Sequence, residues 1–188
     1  MACIGKISSS LALPCGAPGV SDFGQPQSAF VLNASDIASY TVNDISGLAT
    51  ITRKASAVGY EITAINNAMV VTVGLKSQDI IPGAYDVSIT FKSLSGHRNI
   101  SSTEAPLGVV GALGRAELVF AVDHGDGFCR VYGLGAPLVC TEISGDSSAS
   151  SYVTYTYGVE DWQVGTTIHG LSKVDYDALS TPAAAPGA

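Results

Sequence analysis

The stretch YDVSITF at residues 85–91 decides the fold class of this 188-residue chain. Every second residue from Tyr85 is apolar, and the residues between them are Asp, Ser or Thr. Because a β-strand points successive side chains to opposite faces, this alternation predicts a strand with one buried face and one wet face.

Seven further segments have the same character, since they are enriched in β-branched and aromatic residues and are separated by Gly, Asn or Pro. These predicted strands are residues 48–53, 58–65, 68–75, 116–122, 128–133, 138–143 and 151–157. Together they predict a mainly β fold, a sandwich or barrel built from hairpins.

One segment, residues 103–115, breaks the alternating pattern. Ser102 or Thr103 can cap a helix there, and Pro106 is tolerated in its first turn. Three glycines in the segment each cost up to about 1 kcal/mol in a helix interior. We therefore predict one short helix that survives only by packing on the sheet.

The chain divides into three parts by composition. Residues 1–29 are rich in Gly, Pro and Ser and predict an N-terminal assembly arm, because their prolines interrupt helices and central strands. Residues 30–173 predict a single β-rich domain, and residues 174–188 a C-terminal extension. Both terminal segments are candidates for contacts with neighbouring subunits.

Charge and hydropathy narrow the classes of function. Nine basic and 16 acidic residues give a net charge of −7, which disfavours a protein that grips nucleic-acid phosphates. Only 13% of residues are charged while 46% are hydrophobic, so the chain folds rather than remaining disordered. No apolar run is long enough for a membrane-spanning helix, and the resemblance of the first residues to a secretory leader is slight. The low charge favours a surface covered by other subunits.

Four cysteines and three histidines offer no metal-ligand spacing. Cys3 and Cys15 lie in the arm. Cys129 and Cys140 flank a turn near residues 134–135, so a simple hairpin would place them opposite each other, as packed thiols in a reducing compartment or as a disulfide. We predict no metal site and no cofactor.

Catalytic motifs are also missing from the sequence. His124 and Asp126 share a predicted turn, but no nucleophile can be paired with them by spacing. The glycines between residues 108 and 114 lack the pattern of a nucleotide-binding loop and suit close helix packing better. Asn33-Ala-Ser35 and Asn99-Ile-Ser101 fit the glycosylation pattern, which occurs often by chance. We predict that the protein is not an enzyme, with no catalytic residue.

Four aromatic residues near the end of the chain are compatible with a second function, carbohydrate binding. Tyr152, Tyr155, Tyr157 and Trp162 lie close in sequence and could form a carbohydrate-binding platform of an adhesin-like sandwich. On a strand, Tyr155 and Tyr157 share a face with Val153, which favours core or subunit packing instead.

Residues 103–164 resemble the C-terminal half of tail-tube-type virion proteins from tailed phages of gut Bacteroidetes. The shared pattern is a short helix, the strand ELVFAVD at 117–123, a Gly/Asp turn, FCRVYG at 128–133, and the alternating strand at 152–157. The start of the chain, Met1-Ala-Cys3 with a later Cys15-Gly16, is also similar to structural proteins of such phages. The likeness covers about half of the chain.

The resemblance implies a tail-tube subunit that forms stacked rings, six subunits to a ring, around a channel for DNA. Its expected partners are copies of itself and other tail or connector proteins, with DNA only as passing cargo and no membrane. Its expected location is the virion tail, assembled in the bacterial cytoplasm. A head-tail connector or capsid accessory protein is the alternative within the same class. A net negative subunit suits a channel, because like charge repels DNA phosphates.

Overall fold

The computed structural model describes seven segments of the chain, and every structural statement below concerns them. They are residues 28–62, 69–76, 84–94, 113–125, 129–145, 152–159 and 168–184.

Eleven strands in these segments form three antiparallel sheets. A five-stranded sheet has the order β11-β8-β7-β1-β4, a four-stranded sheet the order β5-β6-β10-β9, and β2 pairs with β3. The strands are β1 Ser28–Asn33, β2 Ile37–Val42, β3 Ala49–Arg53, β4 Tyr60–Ile62, β5 Val70–Lys76, β6 Ala84–Leu94, β7 Leu118–Asp123, β8 Cys129–Tyr132, β9 Val139–Gly145, β10 Tyr152–Gly158 and β11 Ile168–Leu171. The mainly β, sandwich-like fold predicted from the alternation is confirmed.

Two apolar clusters hold the layers together. Cluster 1 fills the space between the five-stranded and four-stranded sheets and includes Phe91, Phe120 and Tyr157, all fully buried. Cluster 2 lies on the opposite face of the five-stranded sheet, where the β2–β3 hairpin and a C-terminal helix cover Leu32 and its neighbours. Since burying a large apolar side chain contributes about 1.5–3 kcal/mol, the two clusters supply most of the driving force.

The strand β6 follows its sequence pattern. Val87, Ile89 and Phe91 point into cluster 1, while Lys92 is exposed on the other side. The strand β10 pairs with it in register, Tyr155 opposite Phe91 and Tyr157 opposite Ile89. The alternating segments 85–91 and 151–157 therefore form the centre of the four-stranded sheet.

The first strand, β1, was not predicted, because it does not alternate. It lies between β7 and β4, with Val31 in cluster 1 and Leu32 in cluster 2, so both of its faces are buried. Residues 28 and 29 were expected to belong to the N-terminal arm, and this boundary is wrong, since Ser28 and Ala29 pair with Asp123 and Val122 of β7. Residues 1–27 lie outside the described segments.

The expected hairpin of residues 128–143 is also wrong. The strand β8 pairs with β7 and β11, whereas β9 pairs with β10 in the other sheet. The chain crosses between sheets after Gly133, whose φ of +93° is unfavourable for other residues, and Leu138 then bridges to Leu118. The strands β8 and β9, although consecutive in sequence, therefore belong to different sheets.

One helix, α1 Lys173–Ala178, begins where the C-terminal extension was expected. Ser172 caps it, with its Oγ accepting a hydrogen bond from the Asp175 N–H at 3.1 Å. Tyr176 and Leu179 are buried in cluster 2, so the described part of the predicted extension packs on its own chain. Of the helix predicted at 103–115, residues 103–112 lie outside the described segments.

Candidate functional site

Two tyrosines of the possible sugar platform, Tyr155 and Tyr157, belong to the core. Tyr155 and Tyr157 stack on Phe91 with ring centroids 5.3 and 6.0 Å apart, and the Tyr157 hydroxyl donates to the Leu113 carbonyl at 3.0 Å. Burial raises the pKa of Tyr155 to about 12 and that of Tyr157 further. These two rings cannot present a flat face to a sugar. Trp162 lies outside the described residues.

Cys129 and Cys140 lie in different sheets, because the chain crosses from the five-stranded to the four-stranded sheet between them. Cys129 is buried in cluster 2, while Cys140 packs against cluster 1 on the other side of the five-stranded sheet. Both are free thiols, and burial raises the pKa of Cys140. The expectation that they face each other is therefore wrong, because β8 and β9 do not form a hairpin.

The polar residues near the β7–β8 turn have structural partners. His124 Nε2 lies 3.0 Å from the Tyr132 hydroxyl, and Asp123 accepts hydrogen bonds from the Gly125 N–H and from Lys173 Nζ. Asp126 lies outside the described residues. Within the described part of the chain, no group of three His, Cys, Asp or Glu side chains is placed to hold a metal ion.

The possible glycosylation site at Asn33 is closed in this fold. Its side chain is 2% exposed and donates to Asp36 Oδ2 at 3.0 Å. An enzyme that attaches a glycan could not reach this nitrogen in the folded chain. Asn99 lies outside the described residues.

The five-stranded sheet has contacts at both of its edges. Next to β11, the Gly170 N–H donates to the Gly47 carbonyl at 3.0 Å, and Leu48 forms a bridge with Gly170. Before β4, the Gly59 N–H donates to the Leu179 carbonyl at 2.8 Å. The β2–β3 hairpin therefore contacts the β11 edge, and the C-terminal segment contacts the residue that precedes β4.

The edges of the four-stranded sheet differ. Among the described segments, no strand pairs with the outer side of β5 or of β9. Each strand is seven residues long, so each has a row of main-chain N–H and C=O groups on the side where no described strand pairs with it. These are the two candidate attachment edges of the molecule.

Apolar side chains are exposed along the same two edges. Val70 and Val73 on β5 are 55% and 44% exposed, and Ile143 on β9 is 39% exposed. Val73 is paired with buried Val87 and Ile143 with buried Tyr155, so both point toward the cluster 1 side of the sheet. Cluster 1 thus continues to both edges and is incompletely covered there.

The outer face of this sheet is polar in comparison. Its central strands carry Ser88, Thr90, Thr154 and Thr156, with the Thr90 hydroxyl donating to Thr156 Oγ1 at 3.3 Å. A hydroxyl-rich face is well solvated, so burying it in a protein interface is less favourable than burying the apolar edges. The candidate site is therefore the pair of edges rather than the face between them.

No protein-family model, no curated protein and no solved structure matches this chain. Among the described helices, none combines the length and the apolar character needed to cross a bilayer.

Proposed function

We propose that this chain is a structural subunit that assembles with copies of itself, and that the assembly is the tail tube of a tailed phage. The proposal rests mainly on one observation, the two edges of the four-stranded sheet that no described strand pairs with, together with their exposed apolar residues. Added strands supply affinity through main-chain hydrogen bonds and need no large apolar patch.

The edges of the two sheets differ in how they are protected, and this difference supports self-association. A monomeric β-protein usually protects its edges with charge, proline, bulges or covering segments. Other segments of the chain contact the five-stranded sheet at β11 and just before β4. On the four-stranded sheet the protection within the described residues is smaller: β9 has one bulge, and β5 carries a single charge, on its last residue, Lys76. Weakly protected edges suit a surface that a partner covers.

Ring formation also agrees with the type of contact. Two different edges give a head-to-tail interface, which closes into a ring when the rotation between neighbours is right. The tail-tube role itself comes from the sequence resemblance, and the net charge of −7 supports it because a negative subunit repels passing DNA. Six subunits to a ring, and stacking through residues 1–27, remain predictions of that resemblance.

Purified protein tests the proposal directly. Sedimentation velocity over a range of concentrations should reveal large species, and negative-stain microscopy should reveal rings stacked into tubes. Single rings without tubes would favour the head-tail connector. A strictly monomeric protein at high concentration and physiological salt would refute self-assembly.

A matched pair of variants links assembly to the sheet edge. Val73→Lys places a charge in the β5 edge, where 44% exposure lets the ammonium reach water, so the subunit should fold but not assemble. Val174→Lys makes the same change on α1, where the side chain is 78% exposed, and should assemble normally. Equal assembly of the two variants would contradict a role for β5.

A further inference from the structure

We infer that neighbouring copies join by antiparallel pairing of β5 with β9, in the register that places Val73 of one copy opposite Ile143 of the next. This inference rests on the proposed self-assembly and adds which strands meet and how they align.

Strand direction allows this junction. Within the four-stranded sheet every neighbouring pair is antiparallel, so β5 and β9, three steps apart, run in opposite directions. A copy related by rotation about an axis roughly along the strands keeps its strand directions. Its β5 therefore meets β9 antiparallel, and the alternation continues across the junction without interruption.

The faces to which the side chains point limit the possible registers between β5 and β9. A shift by one residue would turn every inward side chain outward, so inward residues must oppose inward residues. On β5 the inward residues include Val71 and Val73, and on β9 they include Ile143 and Gly145. Val71 already packs against cluster 1, whereas Val73 and Ile143 are the partly exposed inward residues of their edges. Pairing them extends cluster 1 from one subunit into the next.

The same register aligns residues 71–74 of β5 with residues 142–145 of β9, the part of β9 that follows its bulge at Thr141. Val71 then opposes Gly145, Thr72 opposes Ser144, and Gly74 opposes Glu142. A Cβ added at Gly74 would meet nothing within 4 Å in the isolated chain, so neither its packing nor its φ explains this glycine in the middle of a strand. Opposite Glu142 at a junction, the missing side chain leaves room for a long one.

Charge favours β5 with β9 over either strand with itself. Lys76 is the one charged residue in the sequence of β5, and Glu142 is the one in β9. In the proposed register their positions are diagonal neighbours on one face, within reach of long side chains. Antiparallel pairing of two β9 strands about their centre would place Glu142 opposite Glu142, and two β5 strands would keep their Lys76 residues at opposite ends and gain no attraction between charges.

Cysteine cross-linking of the full chain tests the register. The double variant Val73→Cys/Ile143→Cys, oxidised and run on a non-reducing gel, should give a ladder of covalent oligomers, since directly opposed residues are close enough for a disulfide. A mixture of the two single variants should give dimers only, and each single variant alone should give none above the wild type. The wild type, oxidised in parallel, controls for the native cysteines.

A second double variant, Val70→Cys/Ile143→Cys, is the matched control, because Val70 lies on the same strand but on the outer face. It should cross-link much less than the Val73 pair. Dimers from Val73→Cys alone would mean that two β5 strands meet, which overturns the inference. Assembly of the double variants with equal or no cross-linking would overturn the register while leaving self-assembly in place. A wild type that never assembles would remove the proposed function as well.

Discussion

Arg53 at the end of β3 is expected to be a main anchor of the C-terminal segment. Its Nη1 donates to the carbonyls of Ala57, Leu179 and Thr181 at 3.1, 3.0 and 2.8 Å, and its Nη2 donates to Ala178 at 3.0 Å. Three of these four carbonyls lie at or just beyond the end of α1, where backbone acceptors have no helical partner. Burial lowers the pKa of the guanidinium, which nevertheless stays charged.

The substitution Arg53→Met keeps the apolar stem and removes all four hydrogen bonds. A hydrogen bond from a charged group contributes about 1.5–3 kcal/mol, but the values do not add, and the bonds to Ala178 and Thr181 are exposed enough for water to replace the donor. We therefore expect a loss of about 2–4 kcal/mol in the free energy of unfolding. Arg53→Lys should recover part of it, since an ammonium cannot reach all four acceptors.

Urea denaturation measures the loss, and hydrogen exchange locates it. Exchange should accelerate first in residues 173–184, because these depend on the guanidinium. Lys54→Met, which removes the same charge from the exposed neighbouring residue, is the control and should change stability by less than about 0.5 kcal/mol. If Arg53→Met matches the control in both measurements, the anchoring role is refuted.

Three further outcomes follow from single contacts. Tyr157→Phe should lose about 1–2 kcal/mol by calorimetry, since it leaves the buried Leu113 carbonyl with only the longer 3.3 Å hydrogen bond from the Ala116 N–H; an unchanged Tm would argue against a contribution from the Tyr157 bond. Gly133→Ala should lose about 1–3 kcal/mol in urea, because its φ is +93° and the new Cβ would lie 2.5 Å from Leu138 Cδ1. Burial alone would raise the Asp123 pKa, but the Gly125 N–H and Lys173 together lower it. Asp123 therefore stabilises the fold above its ordinary pKa of 3.8, and this contribution disappears as pH falls through the lowered value, so Asp123→Asn should destabilise at neutral pH and converge with the wild type in acid.

Local patterns were sufficient for strands that have one wet face. The strand β6 alternates because Val87 and Ile89 face cluster 1 and Ser88 faces solvent. Its sequence pattern alone therefore indicates which of its faces is buried. The strand β1 carries no such pattern, because clusters on both sides bury it. The helix α1 had a local signal that could have found it, Ser172 followed three residues later by Asp175.

The choice between competing strand pairings could not be predicted in the same way. Residues 128–143 have the turn chemistry of a hairpin, yet β8 and β9 enter different sheets, because β8 pairs with the preceding strand β7 and β9 with the following strand β10. The two candidate edges, β5 and β9, could not be predicted for the same reason. Nothing in VVTVGLK at 70–76 distinguishes an edge strand from a central one, since that depends on which strands arrive beside it.

The position of the C-terminal segment has a consequence for the order of events in the cell. Leu171, Tyr176 and Leu179 complete cluster 2, and Ala183 exchanges hydrogen bonds with the backbone near Ala57. These residues leave the ribosome after every other described strand, so a nascent polypeptide has an unfinished interior until they emerge. The order of synthesis thereby delays the moment at which the folded chain becomes rigid.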